Sequence, residues 1–168
     1  MREAQASLAS VAEDHLDDVF GYLLYLTGDR TVAEDLTGET FERALRRWRR
    51  FDPRRGTAKT WLCQLARSVA LDHFRSERRR RRREEIYAER DASLAHEGPQ
   101  GFGLSGAMEA AFAGLSVGER EVIGLRVLLD LDGETAARML GISPTACSTR
   151  LSRALRKLEE KVRDDVVA

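Results

Sequence analysis

A chain of 168 residues, 42% hydrophobic and 33% charged, is long enough for one ordinary domain or two small ones and too apolar to stay disordered. Its net charge of zero hides a segregation: residues 1–42 carry −8, residues 43–83 carry +13 and residues 84–168 carry −5. Local charge is what a partner feels, so the middle segment reads as a surface for a polyanion, while the absence of a long apolar run argues against membrane insertion.

Apolar residues recur at spacings of three and four along the chain, and no strand-like alternation lasts, so the fold class is all-α. The opening MREAQASLASVAEDHLDD has no signal-peptide core, which makes a cytoplasmic location the expectation. Leu16, Val19, Phe20, Leu23, Leu24 and Leu26 predict a first helix that stops at Gly28. Thr31 and Glu34 read as a capping box for a second, which runs to about Trp48 with Val32, Leu36, Thr40, Ala44, Leu45 and Trp48 inward. Glu39–Arg43 and Glu42–Arg46 are i,i+4 pairs on its wet side. After a loop at Asp52, Pro53 and Gly56, a third helix turns Trp61, Leu62, Leu65, Ala66, Val69 and His73 or Phe74 inward. It ends in six consecutive arginines, Arg78 to Arg83. Like charges repel, so folding alone does not favour the run, whereas a polyanion does, because each neutralised phosphate releases a counterion.

Residues 90–106 hold four glycines and one proline and read as a flexible linker between two small helical domains, 8–89 and 107–164. Beyond it, Ser116 and Glu119 cap a helix running to about Leu129. A shorter helix from Glu134 to Leu140 stops at Gly141, and Ser143 with Pro144 starts another that passes Arg163. Helix, short turn with glycine, helix is the helix-turn-helix pattern. Its second helix exposes Ser148, Thr149, Ser152, Arg153 and Arg156, with Arg150 near the edge, and buries Cys147, Leu151, Ala154 and Leu158. Cys63 and Cys147 fit no CxxC pattern and read as buried thiols. The pair Asp72–His73 lacks a nucleophile, a glycine-rich loop or a metal cluster, so no catalysis, metal or cofactor is expected.

Three segments together resemble the extracytoplasmic-function group of bacterial RNA polymerase sigma factors. YLTGDRTVAEDLTGETFERALRRWRRF is similar to the polymerase-binding part of sigma domain two. RGTAKTWLCQLARSVALDHFRSERRR is similar to the part that reads and opens the minus-ten element. LSVGEREVIGLRVLLDLDGETAARMLGISPTACSTRLSRALRKL is similar to domain four, which reads the minus-thirty-five element. The resemblance implies a monomeric, non-enzymatic subunit that joins core polymerase at the clamp helices of its largest subunit and at its flap. It also implies promoter DNA as a partner, and control by an anti-sigma factor.

Placed on this sequence, the resemblance assigns core binding to Asp35, Gly38, Glu39 and Arg43, with Gly38 where the family usually has Gln. It assigns minus-ten recognition to Arg55, Thr57, Lys59, Arg67, Ser68, Leu71, Asp72 and Arg75, with Ser68 where Asn is common, and backbone attraction to Arg78 and Arg79. The loop before the third helix would hold a base flipped from the non-template strand. Trp61 lies on the apolar stripe and reads as core rather than a base-stacking platform. Minus-thirty-five recognition falls to Thr145, Ser148, Thr149, Arg150, Ser152, Arg153 and Arg156, with Ser148 and Leu155 where the family usually has basic residues. Two rivals stay open at this level: a duplex-binding regulator with a helical dimerisation domain, and a nucleic-acid-processing enzyme. The apolar end Val166-Val167-Ala168 could serve as a protease-recognition tail.

Overall fold

The computed structural model describes residues 7–88, 111–112 and 114–167, and every regular element among them is helical. The linker expected at 90–106 lies outside the described residues, as does Ala168. The helices are α1 (Leu8–Thr27), α2 (Arg30–Arg47), α3 (Ala58–Ala88), α4 (Val117–Ile123), α5 (Gly133–Leu140) and α6 (Pro144–Val167).

Helix α1 begins at Ser7, whose side chain accepts from the Ser10 N–H, and ends at Gly28 in the left-handed conformation. Glycine enters that conformation without the Cβ penalty of other residues, so the stop read from the sequence holds. Helix α2 starts two residues earlier than a Thr31 cap allows. Asp29 is the N-cap, accepting from the Val32 N–H at 3.0 Å, and Glu34 pairs instead with Arg30 at 2.9 Å. This corrects the expected Thr31–Glu34 capping box: an aspartate two residues upstream takes the orphan N–H groups first. The buried stripe of α2 is Ala33, Leu36, Thr37, Thr40 and Ala44. Thr37 and Thr40 are buried because each hydroxyl donates to a carbonyl four residues back, at 2.7 Å in both cases. Leu45 was expected inward but is 69% exposed, and Leu16 of α1 is also exposed. Ala33 and Thr37 complete the stripe, and Leu45 falls outside it.

Helices α1, α2 and α3 pack on one another around Val19, Leu23, Leu36, Leu62, Ala66 and Val69. Helix α3 continues unbroken through the arginine run, with Arg80 bridging Glu77 and Glu84 and holding the charge on a helical stem. In the second unit, Ser116 and Glu119 form the complete capping box read from the sequence. After Ile123 the helix widens into a π-helical segment, Gly124–Leu128, and Asp130 then takes a positive φ of 52°. Helix α5 is capped by Asp132 and closed by Gly141, and Ser143 caps α6 by accepting from the Ala146 N–H at 3.1 Å. Both α4 and α5 pack on α6 through Cys147, Leu151 and Ala154. Cys63 and Cys147 are both buried free thiols, as expected, and burial pushes the Cys63 thiol up to about 12.

The two units are not separate bodies. Helix α1 lies against the π segment, and Leu125 and Leu129 belong to the same apolar cluster as Tyr22 and Leu62. A methyl group added at Gly124 would sit 2.8 Å from the Tyr22 ring and 3.2 Å from the Tyr25 ring, so only glycine allows this approach. Tyr25 also meets Phe112 edge-on, with ring centroids 5.6 Å apart.

Candidate nucleic-acid interface

The N-terminal surface is built around the start of α3. Asp52 turns the chain by accepting from the Arg55 N–H at 3.0 Å, and Thr57 caps α3 by accepting from the Thr60 N–H at 3.1 Å. Thr57 thus has a structural duty besides the expected base contact. Trp48, Phe51 and Trp61 form an aromatic cluster with centroids 5.1 to 5.8 Å apart. This confirms the packing role of Trp61 while leaving it at the edge of a cleft shared with Arg55, Thr57 and Gln64. Gln64 was not singled out from the sequence. Its spacing of four from Thr60 and from Ser68, on the polar side of α3, is the signal that would have found it.

Most cations on this face already have acidic neighbours. Lys59 Nζ lies 3.1 Å from Asp18 of α1. Arg43 bridges Glu39 at 2.6 Å and Asp72 at 3.1 Å, and Arg75 approaches Asp72 at 3.5 Å. Burial works against the Arg43 charge, but its hydrogen bonds to Glu39 and Asp72 outweigh burial and raise its pKa. The expected polymerase-binding and DNA-binding sets therefore meet at Asp72, which ties α2 to α3. Arg67 Nε donates to Glu121 of α4 at 2.8 Å, an acid not singled out from the sequence. Ser68, Arg78 and Arg79 face solvent, while Leu71 is half-buried. Asp35, Gly38 and Glu39 line the outer side of α2, and the exposed Leu45 joins them one heptad after Gly38.

The C-terminal surface is simpler. Thr145, Ser148, Thr149, Ser152, Arg153 and Arg156 are exposed along the first turns of α6, and Leu155 is exposed as well. Arg150 is half-buried because its guanidinium lies over Gly118. An open groove of about 670 Å³ runs between the start of α4 and this face, lined by Ser116, Ser143, Thr145, Thr149 and Arg153. Lys157, one turn beyond Arg153, ties α6 to α4: its Nζ reaches Glu119 at 2.6 Å. That hydrogen bond, with the Ser116 N–H, holds the Glu119 carboxyl below its usual range. Among the described residues, no group of three or more His, Cys, Asp or Glu is placed to hold a metal ion. No described helix is long and apolar enough to cross a membrane.

Two helical units, one with a basic α3 face and one with a helix-turn-helix, match two family models in the same order. Sigma-70 region 2 matches residues 11–80, and Sigma-70, region 4 matches residues 105–158. The ECF RNA polymerase sigma factor SigC of Mycobacterium tuberculosis is 34% identical over 137 residues, covering 82% of this chain and 73% of that one. The chain belongs to the extracytoplasmic-function sigma factors. The ECF sigma factor BldN of Streptomyces coelicolor is also 34% identical, over 158 residues and 91% of this chain, but the match spans only 59% of BldN's length. The sigma factor RpoE of Bartonella quintana, solved in complex with the anti-sigma factor NepR, superposes with a TM-score of 0.69. It is 26% identical, over 90% of this chain and 94% of that one. CnrH, solved with the cytosolic domain of CnrY, shares the fold with a TM-score of 0.68 at 23% identity, covering 94% of this chain and 88% of that one. A sigma factor regulates transcription and is not an enzyme, so the enzymatic rival falls.

Proposed function

We propose that this ECF sigma factor docks on core RNA polymerase through the outer face of α2, using Asp35, Glu39 and the exposed Leu45 on the clamp helices of the largest subunit. Domain four would rest on the flap. Between them the two units span the two promoter elements. The cleft at Arg55, Thr57 and Lys59 takes a base flipped from the minus-ten non-template strand, with Arg67, Ser68, Leu71, Asp72 and Arg75 lining its approach. Flipping costs a few kcal/mol of unstacking, which contacts in the cleft offset. Arg78 and Arg79 hold the adjoining phosphates on the stem of α3 and add affinity and salt dependence but little sequence information.

At the minus-thirty-five element the N-terminal turns of α6 enter the major groove, where Ser148, Thr149 and Arg150 lie nearest the bases. Arg153 and Arg156 reach bases or phosphates. Glycine at Gly38 and hydroxyls at Ser68 and Ser148 make fewer contacts than the larger residues common in the family. The factor acts in the cytoplasm as a monomeric subunit, under an anti-sigma protein. The observation that carries this reading is the pair of family matches, in sigma order, over two surfaces with basic faces.

Run-off transcription tests it directly. Purified core polymerase plus this chain should yield discrete promoter-dependent transcripts from a genomic promoter pool, and core alone should not. No factor-dependent transcript from any promoter would sink the reading.

A further inference from the structure

Among the described residues of α3, Gln64 alone lines both hollows of the basic face. One is the cleft at Arg55, Gly56, Thr57 and Trp61. The other is the groove along Arg67, Ser68, Leu71 and Arg75. Its neighbours are committed to the chain itself. The Thr57 and Thr60 hydroxyls share a hydrogen bond at 3.0 Å, and Thr57 also caps the helix. Lys59, Arg67 and Arg75 each meet an acid. Ser68, one turn on, offers only a hydroxyl. The Gln64 side chain is exposed, and its carboxamide has no hydrogen-bond partner among the described residues.

Gln64 follows Trp61 by three residues, so both project to the same side of α3. Phe51 and Trp61 give the cleft an apolar wall. Enzymes that extrude a base hold it by that combination, an apolar face against the ring and hydrogen bonds along its edge. A carboxamide donates and accepts at once. A phosphate only accepts and would use half of that capacity, whereas a base edge sets donors beside acceptors.

We propose that Gln64 is a specificity-determining residue of the minus-ten cleft, its carboxamide reading the Watson–Crick edge of the base taken in beside Trp61. The proposal rests on the minus-ten reading of α3. On that reading the surrounding cations hold the strand, and Gln64 selects among bases.

The test uses holoenzyme assembled from core polymerase and the full chain, transcribing a promoter library randomised across the minus-ten element. Glutamate, lysine and alanine all suit an exposed helical position, so the variants should fold, and thermal unfolding checks that they do. Gln64→Glu can only accept. Guanine alone sets two adjoining donors, N1–H and N2–H, on its Watson–Crick edge, so this variant should shift preference toward guanine at one position. Gln64→Lys can only donate. Cytosine alone sets two adjoining acceptors, N3 and O2, on that edge, so preference should shift toward cytosine at the same position. Each shift should be about tenfold, within what one good base contact discriminates. Gln64→Ala should flatten the preference there and leave the other positions unchanged. Uniform gains or losses across the library, with Arg67→Glu still lowering minus-ten-dependent output, would put Gln64 on the backbone and overturn the proposal alone. If Arg67→Glu leaves that output unchanged as well, the minus-ten reading of α3 falls, and the role of Gln64 with it.

Discussion

The basic face of α3 and the recognition face of α6 are both proposed to touch DNA, yet they are in opposite electrostatic states. On α3 and its approach, Lys59, Arg67 and Arg75 each meet an acid, from Asp18, Glu121 and Asp72 respectively. On α6, Thr145, Ser148, Thr149, Ser152 and Arg153 stand exposed, and the Lys157–Glu119 strap lies one turn beyond Arg153. One surface is preassembled but occupied; the other is open. The difference follows from their duties. A helix that reads duplex DNA needs only orientation, whereas a cleft that captures an unstacked base needs its loop and cations fixed in advance, and fixed cations attract acids from their own chain.

The cores differ too. Domain two packs within one apolar cluster that also takes in Leu125 and Leu129 of domain four, whereas Leu115, Ile123 and Ala154 of domain four form a second, smaller cluster. The largest expected effect is therefore Leu62→Ala in α3, which should cost about 2–5 kcal/mol. If the joint couples the two units, thermal unfolding followed by circular dichroism should show one transition moving as a whole. A second transition left in place would mean that domain four folds independently. Next comes Arg153→Ala on the open face, which should weaken minus-thirty-five duplex binding by about 1–3 kcal/mol with no change in stability. Binding by the isolated factor and by holoenzyme should fall alike, since among the described residues the recognition face of α6 is exposed. A loss confined to holoenzyme would mean that Arg153 is covered in the isolated factor.

The helices, their glycine stops and the helix-turn-helix were legible in the sequence because they depend on local periodicity and capping. Ser116 with Glu119, Gly28, Gly141 and Ser143 all do what their positions predict. The errors were equally local. Asp29 outcompeted Thr31 as a cap, and Leu45 reads as core by spacing but lies at the stripe's edge, where helix packing left it out. The occupied state of α3 was not legible. Glu121 and Arg67 are 54 residues apart, and no pattern in one chain announces that an acid beside a capping box will land on a cation of another helix. Gly124 was the available hint. A glycine inside a helical apolar run costs about 1 kcal/mol against alanine unless a close neighbour requires it. Here the neighbour is Tyr22.

Gly38 sets the contrast, since a Cβ added there meets nothing within 4 Å. Gly38→Ala should therefore stabilise the chain by about 1 kcal/mol. Gly38→Gln should stabilise it slightly less and also tighten core polymerase binding, if the outer face of α2 is the docking surface. A stability gain without any change in polymerase affinity, measured by titration of labelled factor into core, would move the docking surface away from Gly38.

The smallest effect separates the two units by pH. Lys157 foremost, and the Ser116 N–H after it, lower the Glu119 pKa in the folded chain. A carboxylate whose folded pKa is depressed adds stability above its unfolded value of about 4.3, and that stability drains away as pH falls through the lower folded value. Domain four should therefore lose Tm below about pH 4, with the slope reduced in Lys157→Met. The Lys157 strap joins α6 to α4. Acid should thus loosen the open reading face without disturbing the alignment of α1, α2 and α3, and amide exchange across α6 and α3 would resolve the two. Equal acid sensitivity in both helices, unchanged by Lys157→Met, would take the acid response away from the Glu119 strap.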